Sequence, residues 1–357
     1  MLGLLVIGTT VLLIFTLVKN ALFGKQVSSS DHYSGPIELI LPILPETLFL
    51  SEQWQKSFSQ LKNVNLKVYV LVDGHHADIE PIMNFARNNP FVEVNSFVSR
   101  PAGTLPVPWM LQQISHRLLA DVVIIGDADL VPSENLFESV AKIVTDKERV
   151  TLVLPQTAKT NVVIEAVSVL NPTLVFASLY GFRKIRRNLS HPFLALSQGW
   201  IAMPLSAFKL LPLENLRHIS WKVAIVEAFE AKETNTYLAF GEKHLVRTYP
   251  EYFEDMIRGM RDYWGKLWEE KELRKSFWFF VVALFVWSFP LICFFSHPFW
   301  AIGSFFLLIL YRFFSKIVFQ ESWAGVILHP FACLVWLISL FWWVATNART
   351  YSKARHS

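Results

Sequence analysis

Residues 119–136 read LADVVIIGDADLVPSENL, and the fold is decided here. Val122, Val123, Ile124 and Ile125 form an unbroken β-branched run, the pattern of a strand covered on both faces. Gly126, Asp127, Ala128 and Asp129 follow at once. Extended backbone through this point would send both carboxylates to one side, where they repel unless a cation or a hydrogen-bond network holds them. Oxygen ligands of this kind suit Mg²⁺ or Mn²⁺, ions that complete their shell with substrate phosphates. The pair therefore predicts metal-assisted handling of a phosphorylated donor. Pro132, Ser133 and Glu134 read as a helix start, with Ser133 as the cap of a helix carrying Leu136 and Val140. An Asp-x-Asp triplet alone is a weak signal, because acidic pairs at strand ends are often solvated loop residues. Its place directly after a buried strand gives it weight.

Upstream of this stretch the chain alternates. Apolar runs at 37–44, 66–72 and 91–97 predict strands, and 48–61, 81–88 and 110–119 predict helices between them. Downstream, 150–155 and 201–203 predict further strands, 214–232 a helix, and 238–246 a return to the sheet. Strands alternating with helices give an α/β fold with a mostly parallel sheet and helices on both faces. Ligands of such sheets gather outside the carboxyl ends of the strands, where Asp73, Gly74, Asp127 and Asp129 fall.

The two ends of the chain have another character. The 357 residues are 53% hydrophobic and 15% aromatic, more than a water-soluble α/β enzyme needs, and the excess lies at the termini. Residues 1–25 open with an uncharged apolar run to Val18, followed by Lys19 and Lys25, the charge order of an uncleaved anchor whose following domain is cytoplasmic. A Ser-rich linker at 26–35 leads into the domain at 36–250. Residues 251–275 combine Arg258, Arg261, Tyr263, Trp264 and Trp268, the composition of an amphipathic helix on a membrane surface. Within 276–346, three runs at 277–295, 298–318 and 324–344 approach the ~20 residues a membrane span needs. A basic tail, 347–357, follows. Residues 161–182 are apolar except for Glu165 and precede the Arg183, Lys184, Arg186 and Arg187 cluster; core, interfacial helix and span are all open, with an interfacial segment favoured. The expected location is the inner (plasma) membrane, multi-pass, with the acidic pair on the cytoplasmic side.

Charge and cysteines narrow the class. A net charge of +4, without zinc spacing or an RNA-binding aromatic motif, excludes nucleic acid as the expected partner. Cys293 and Cys333 sit in apolar runs and read as buried hydrophobes.

Several motifs together resemble a known family. They are Asp73-Gly74, the loop from Arg100-Pro101-Ala102-Gly103 to Trp109, Asp127-Ala128-Asp129, Gln198-Gly199, Arg247-Thr248-Tyr249 ahead of Phe253 and Gly259, and Leu328-His329-Pro330. From residue 37 to the C-terminus the chain resembles membrane-bound family-2 glycosyltransferases with a GT-A-type nucleotide-sugar domain. It is most similar to the branch of hopanoid-associated and carotenoid (diaponeurosporenoate) glycosyltransferases.

The resemblance implies a Rossmann-like sheet and inverting, metal-dependent transfer of a sugar from a nucleotide-sugar donor to a lipid or other hydrophobic acceptor. It implies donor contacts from Asp73, Gly74, Asp127, Arg258, Arg261 and Trp264, and a Mg²⁺ or Mn²⁺ ion on Asp127 and Asp129. Gln198, Gly199, Arg247 and Tyr249 fall on the acceptor side. Arg258 to Arg261 resemble part of a Q/R-x-x-R-W element, with the tryptophan displaced to Trp264.

The chain also departs from the family. Pro106-Val107 stands where the family has a glycine-lysine pair, and Trp221-Lys222 where it has the acidic pair that supplies the general base. A lysine is a poor base at neutral pH, which leaves Glu227 and Glu230, three apart on the next helical turns, as candidates. The same departures motivate a second reading, a family member that binds nucleotide sugar or lipid without transfer. A processive polysaccharide synthase is a weaker third.

Overall fold

The computed structural model describes residues 33–44, 51–59, 65–74, 79–101, 104–133, 135–147, 149–157, 199–215, 221–230, 236–240, 245–247, 253–269, 274–292, 294–295, 297–319 and 323–354, with three isolated positions near the N-terminus. The anchor expected at 1–25, the apolar segment 161–182, Gln198 and Tyr249 lie outside them.

In chain order the first half runs β1 (Ile37–Ile43), α1 (Ser51–Ser59), β2 (Leu66–Asp73), α2 (Ile79–Arg87), β3 (Val92–Phe97), α3 (Pro106–Ile114), β4 (Val122–Ile125), β5 (Leu130–Pro132) and α4 (Leu136–Lys147). The second half runs β6 (Val150–Leu154), β7 (Gln156–Thr157), β8 (Trp200–Pro204), α5 (Leu205–Lys209), α6 (Trp221–Glu230), β9 (Thr236–Phe240) and β10 (Leu245–Arg247). Five helices close the chain: α7 (Phe253–Glu269), α8 (Arg274–Ile292), α9 (Pro298–Phe319), α10 (Trp323–Ile327) and α11 (His329–Ala354).

Among the described residues, seven strands form the main sheet in the order β3-β2-β1-β4-β8-β6-β9. The β1–β2, β1–β4, β2–β3 and β6–β9 pairs are parallel, whereas β8 is antiparallel to both of its neighbours. The sheet is therefore mostly parallel, as expected, with one reversed strand. Strand order reverses at β1, which lies between β2 and β4, and a sheet of this type opens its ligand crevice at such a point.

The central strands β1, β2, β4 and β8 divide their side chains between two cores, which is why these segments read as continuous apolar runs. Ile40, Tyr69, Leu71, Val123, Ile125 and Ile201 face a cluster shared with α3, α6 and the C-terminal helices. Leu39, Val70, Val72, Val122, Ile124 and Trp200 face the other, shared with α1, α2 and α4. Helices thus cover both faces.

Some expected elements differ. The helix expected at 110–119 begins at Pro106, a residue whose fixed φ suits the first helical turn, and ends in a 3₁₀ turn at Ser115–Arg117. The single return expected over 238–246 is two strands. β9 joins the main sheet, while β10 pairs with β5 and β7 in a separate three-stranded sheet.

The C-terminal helices stand where apolar runs were expected, but among the described residues no helix is long and apolar enough to cross a membrane. The segment 251–275, expected to be an amphipathic helix on a membrane surface, holds α7. The apolar face of α7, made of Met256, Met260, Trp264 and Leu267, is buried in one cluster with Phe277, Phe280 and Leu284 of α8 and Trp336 and Leu340 of α11. The expected basic tail continues α11 as far as Ala354.

One buried carboxylate ties β4 to the sheet. Glu38, on β1, is 4% exposed and accepts the backbone N–H groups of Leu119 (3.0 Å) and Ala120 (3.2 Å), just before β4. Glu38→Ala is expected to lower unfolding stability by about 2 kcal/mol, because it strands a buried donor, while Glu38→Gln, which keeps an acceptor oxygen, loses less. Denaturant titration of both variants checks this; equal stability of Glu38→Ala and wild type would contradict it.

Candidate active site

The acidic pair sits at the carboxyl end of β4, beside the strand-order reversal. Gly126 N–H donates to Ile40 O at 2.9 Å, carrying the β1–β4 pairing one step past the strand. The backbone then turns. Leu130 N–H donates to Asp127 O at 3.2 Å, so residues 127–130 form a tight turn and not the extended backbone expected from the sequence. The side-by-side arrangement of Asp127 and Asp129 derived from strand alternation gives way to one set by this turn.

Two tryptophans fix the turn from below. Trp54 of α1 donates its indole N–H to Ala128 O at 2.8 Å, and Trp200 of β8 donates to Asp127 O at 3.3 Å. Their rings stack at 6.0 Å with 9° between planes, and Phe137 packs on Trp200. Both rings are buried, so each N–H needs an acceptor, and the turn supplies consecutive carbonyls. Ser57, also on α1, donates its hydroxyl to Pro132 O at the end of β5. The antiparallel course of β8 makes this possible. With Ile125 opposite Ile201, the start of β8 arrives at the carboxyl edge of β4, delivering Gly199 and Trp200 beside Asp127.

Glycines permit the close approach. A Cβ on Gly126 would lie 2.7 Å from Trp200 Nε1, and a Cβ on Gly199 would lie 2.5 Å from Val153 O. Gly199 N–H donates to Asp127 Oδ2 at 3.1 Å, so an expected acceptor-side glycine instead holds the acidic turn.

The same Oδ2 pairs with the Lys222 ammonium. Lys222, in the first turn of α6, is 6% exposed and lies 5.3 Å from the Trp221 ring centre. The lysine that stands where a base was expected is thus the counter-charge of Asp127. Glu227 and Glu230 follow on α6, five and eight residues beyond, with side chains outside the described ones.

The other expected residues separate into near and far. Asp73 is buried at the end of β2, and Gly74 N–H donates to Phe97 O at 2.8 Å, which puts both on the same sheet edge as Asp127. Arg247 pairs in register with Leu130, one residue past Asp129, so the three-stranded sheet brings its backbone to the acidic turn. Arg261 is exposed on α7, and Arg258 lies one turn before it with its side chain outside the described ones. Trp264 is fully buried among Phe277, Phe280 and Trp336 and donates to Ser339 Oγ at 2.9 Å. Its ring packs α7 against α8 and α11.

Sequence reasoning missed Trp54, Trp200 and the pairing of Lys222. A tryptophan directly after Gln198-Gly199 was the available signal for Trp200, since a buried indole must find an acceptor. A divalent ion suits the chemistry of two adjacent carboxylates, but Oδ2 of Asp127 already faces an ammonium. Among the described residues no group of three or more His, Cys, Asp or Glu is assembled that could hold a metal.

No protein-family model and no curated protein matches the sequence. Solved structures do match. The mannosyltransferase PcManGT from Pyrobaculum calidifontis, in complex with GDP-Man and Mn2+, aligns over 96% of this chain and 98% of its own, with a TM-score of 0.52 and 11% identity. Glucosyl-3-phosphoglycerate synthase from Mycobacterium tuberculosis, in complex with Mn2+, UDP and phosphoglyceric acid, aligns over 58% and 68% (TM-score 0.37, 15% identity). S. aureus TarS 1-349 in complex with UDP-GlcNAc aligns over 79% and 81% (TM-score 0.40, 16% identity). The first similarity shows the fold, a GT-A-type sheet, across nearly the whole length of both chains.

Gly126→Ala is expected to push the Trp200 ring off its acceptor, costing about 1–3 kcal/mol as overpacking does. Near-UV circular dichroism of the stacked tryptophans together with thermal melting checks this; an unchanged spectrum and melting temperature would show that the contact does not constrain the turn.

Proposed function

We propose that this chain is a glycosyltransferase that moves a sugar from a nucleotide-sugar donor to a lipid or other hydrophobic acceptor. The observation that carries the reading is the acidic turn at the carboxyl edge of β4, in a GT-A-type sheet, with Asp73 at the end of nearby β2. The Mn2+ in the mannosyltransferase complex supports a divalent cofactor, which Asp127 and Asp129 would hold. When bound, such an ion neutralises charge on the departing nucleoside diphosphate.

The chain's own residues divide the remaining work. Asp73 and Gly74 line the edge that would receive the nucleoside. Lys222 is committed to a carboxylate and carries no role as base, so the acceptor hydroxyl proton falls to Glu227 or Glu230 further along α6. Direct attack of the acceptor on the anomeric carbon would invert its configuration.

A hydrophobic acceptor is supported by the outer surface of the C-terminal helices. Phe295 and Phe299, at the α8–α9 connection, are 95% and 91% exposed, and Trp300, Phe306 and Phe341 are exposed as well. An apolar surface of this extent marks contact with a membrane or another apolar partner. It supports placement at the inner membrane, with the sheet domain on the cytoplasmic side where nucleotide sugars are available.

The Lys222–Asp127 pair also favours a second reading, donor binding without transfer, because it occupies a carboxylate of the acidic turn. Nucleoside-diphosphate release by the detergent-solubilised protein separates the two, assayed with a panel of nucleotide sugars, Mg²⁺ or Mn²⁺, and extracted lipids. Release that depends on lipid, is stimulated by the divalent ion, and falls by about 10²–10³-fold in Asp129→Ala is expected for the enzyme. Donor binding without release across the panel would establish the second reading.

A further inference from the structure

A lysine that is 6% exposed is uncommon unless paired, and this one faces the group that would receive a divalent ion. Asp127 Oδ2 takes both the Lys222 ammonium and the Gly199 N–H at 3.1 Å. Two donors on one oxygen lower its capacity to ligate a further cation. Asp127 and Asp129 together carry two negative charges, of which the ammonium already offsets one. A dication at Asp127 would therefore approach a fixed like charge from which solvent is largely excluded, where electrostatic interactions are strong.

From this arrangement we infer that Lys222 is a tethered cation of the donor site: it neutralises Asp127 when no donor is present and ligates the diphosphate when one binds. Two consequences follow. A nucleoside diphosphate binds without a divalent ion, and a divalent ion alone binds weakly. The inference rests on the reading of residues 127–129 as the donor site. It adds a protein-borne phosphate ligand of the kind a lysine supplies as a point charge.

The test uses the full chain in detergent with three probes: Mn²⁺ alone, followed by electron paramagnetic resonance, and GDP and UDP, each with EDTA or with Mn²⁺, followed by calorimetry. Wild type is expected to bind one of the nucleotides in EDTA with a Kd within about tenfold of that in Mn²⁺. Lys222→Gln, which keeps a hydrogen-bond donor for Asp127 but not the charge, is expected to weaken nucleotide binding in EDTA by at least about tenfold and to tighten Mn²⁺ binding by a similar factor. Lys222→Arg is expected to behave as wild type in both respects. Nucleotide binding by wild type that requires Mn²⁺, or Mn²⁺ affinity unchanged in Lys222→Gln, would overturn the inference while leaving the donor site in place. The wild-type arm decides even if the variant does not fold. Absence of nucleotide binding in either condition would overturn the donor reading itself, and this inference with it.

Discussion

Two indole N–H groups on consecutive carbonyls, Trp54 to Ala128 and Trp200 to Asp127, are the constraint from which the rest of the site follows. A buried backbone carbonyl must be paired, and a turn at the end of a central strand has no ladder partner to pair with. The tryptophans supply that pairing from opposite parts of the chain. Trp54 needs α1 packed over the sheet; Trp200 needs β8 to run against its neighbours so that its first residue meets the end of β4. Gly126 then follows, because a side chain there would occupy the space of the Trp200 ring. The reversed strand is thus part of the site's construction.

Charge sets the second constraint. Asp127 is held through one carboxylate oxygen, Oδ2, which takes both the backbone N–H of Gly199 and the ammonium of Lys222. A buried ammonium needs its carboxylate as much as the reverse, since either alone would bear the full cost of lost hydration. This mutual dependence removes Lys222 from proton transfer. It also places the start of α6 against the acidic turn, so the glutamates farther along that helix are carried past the crevice at a fixed distance in sequence. Lys222 thus exchanges the chemistry of a base for an electrostatic hold on the turn.

Most strands were legible because a strand buried on both faces has a strong local signature, and 37–43, 66–73, 122–125, 150–154 and 200–204 follow it; 92–97, only partly buried, reads more weakly. Strand direction was not legible at β8, since a short apolar run has no polarity of its own. Nor was the split of β9 from β10, which depends on pairing with β5 and β7 far away in sequence. The apolar stripe of α7 was legible as amphipathic, but its packing against α8 and α11 was not. A stripe reports that a face is covered, and a helix bundle and a membrane surface satisfy it equally well. At the site, the acidic pair was visible as residue types, but its ion pair spans 95 positions and no local pattern announces it. Trp264 illustrates the converse: a motif-like spacing on α7 suggested a donor contact, whereas the ring is enclosed by α8 and α11 and bonded to Ser339.

The C-terminal helices bear on the site through the sheet and not through the motif that first drew attention to them. Their buried side joins the same cluster as Ile40, Tyr69 and Ile125, so the bundle is an extension of one sheet face. The chain enters the bundle at Phe253, six residues after Arg247, whose backbone is in register with Leu130 beside the acidic turn. The exposed aromatic side of the bundle belongs to the same packed body as the sheet edge that carries the acidic turn. The fold thereby links the two features that the sequence shows as distant, an acidic turn near its centre and an aromatic-rich C-terminal quarter.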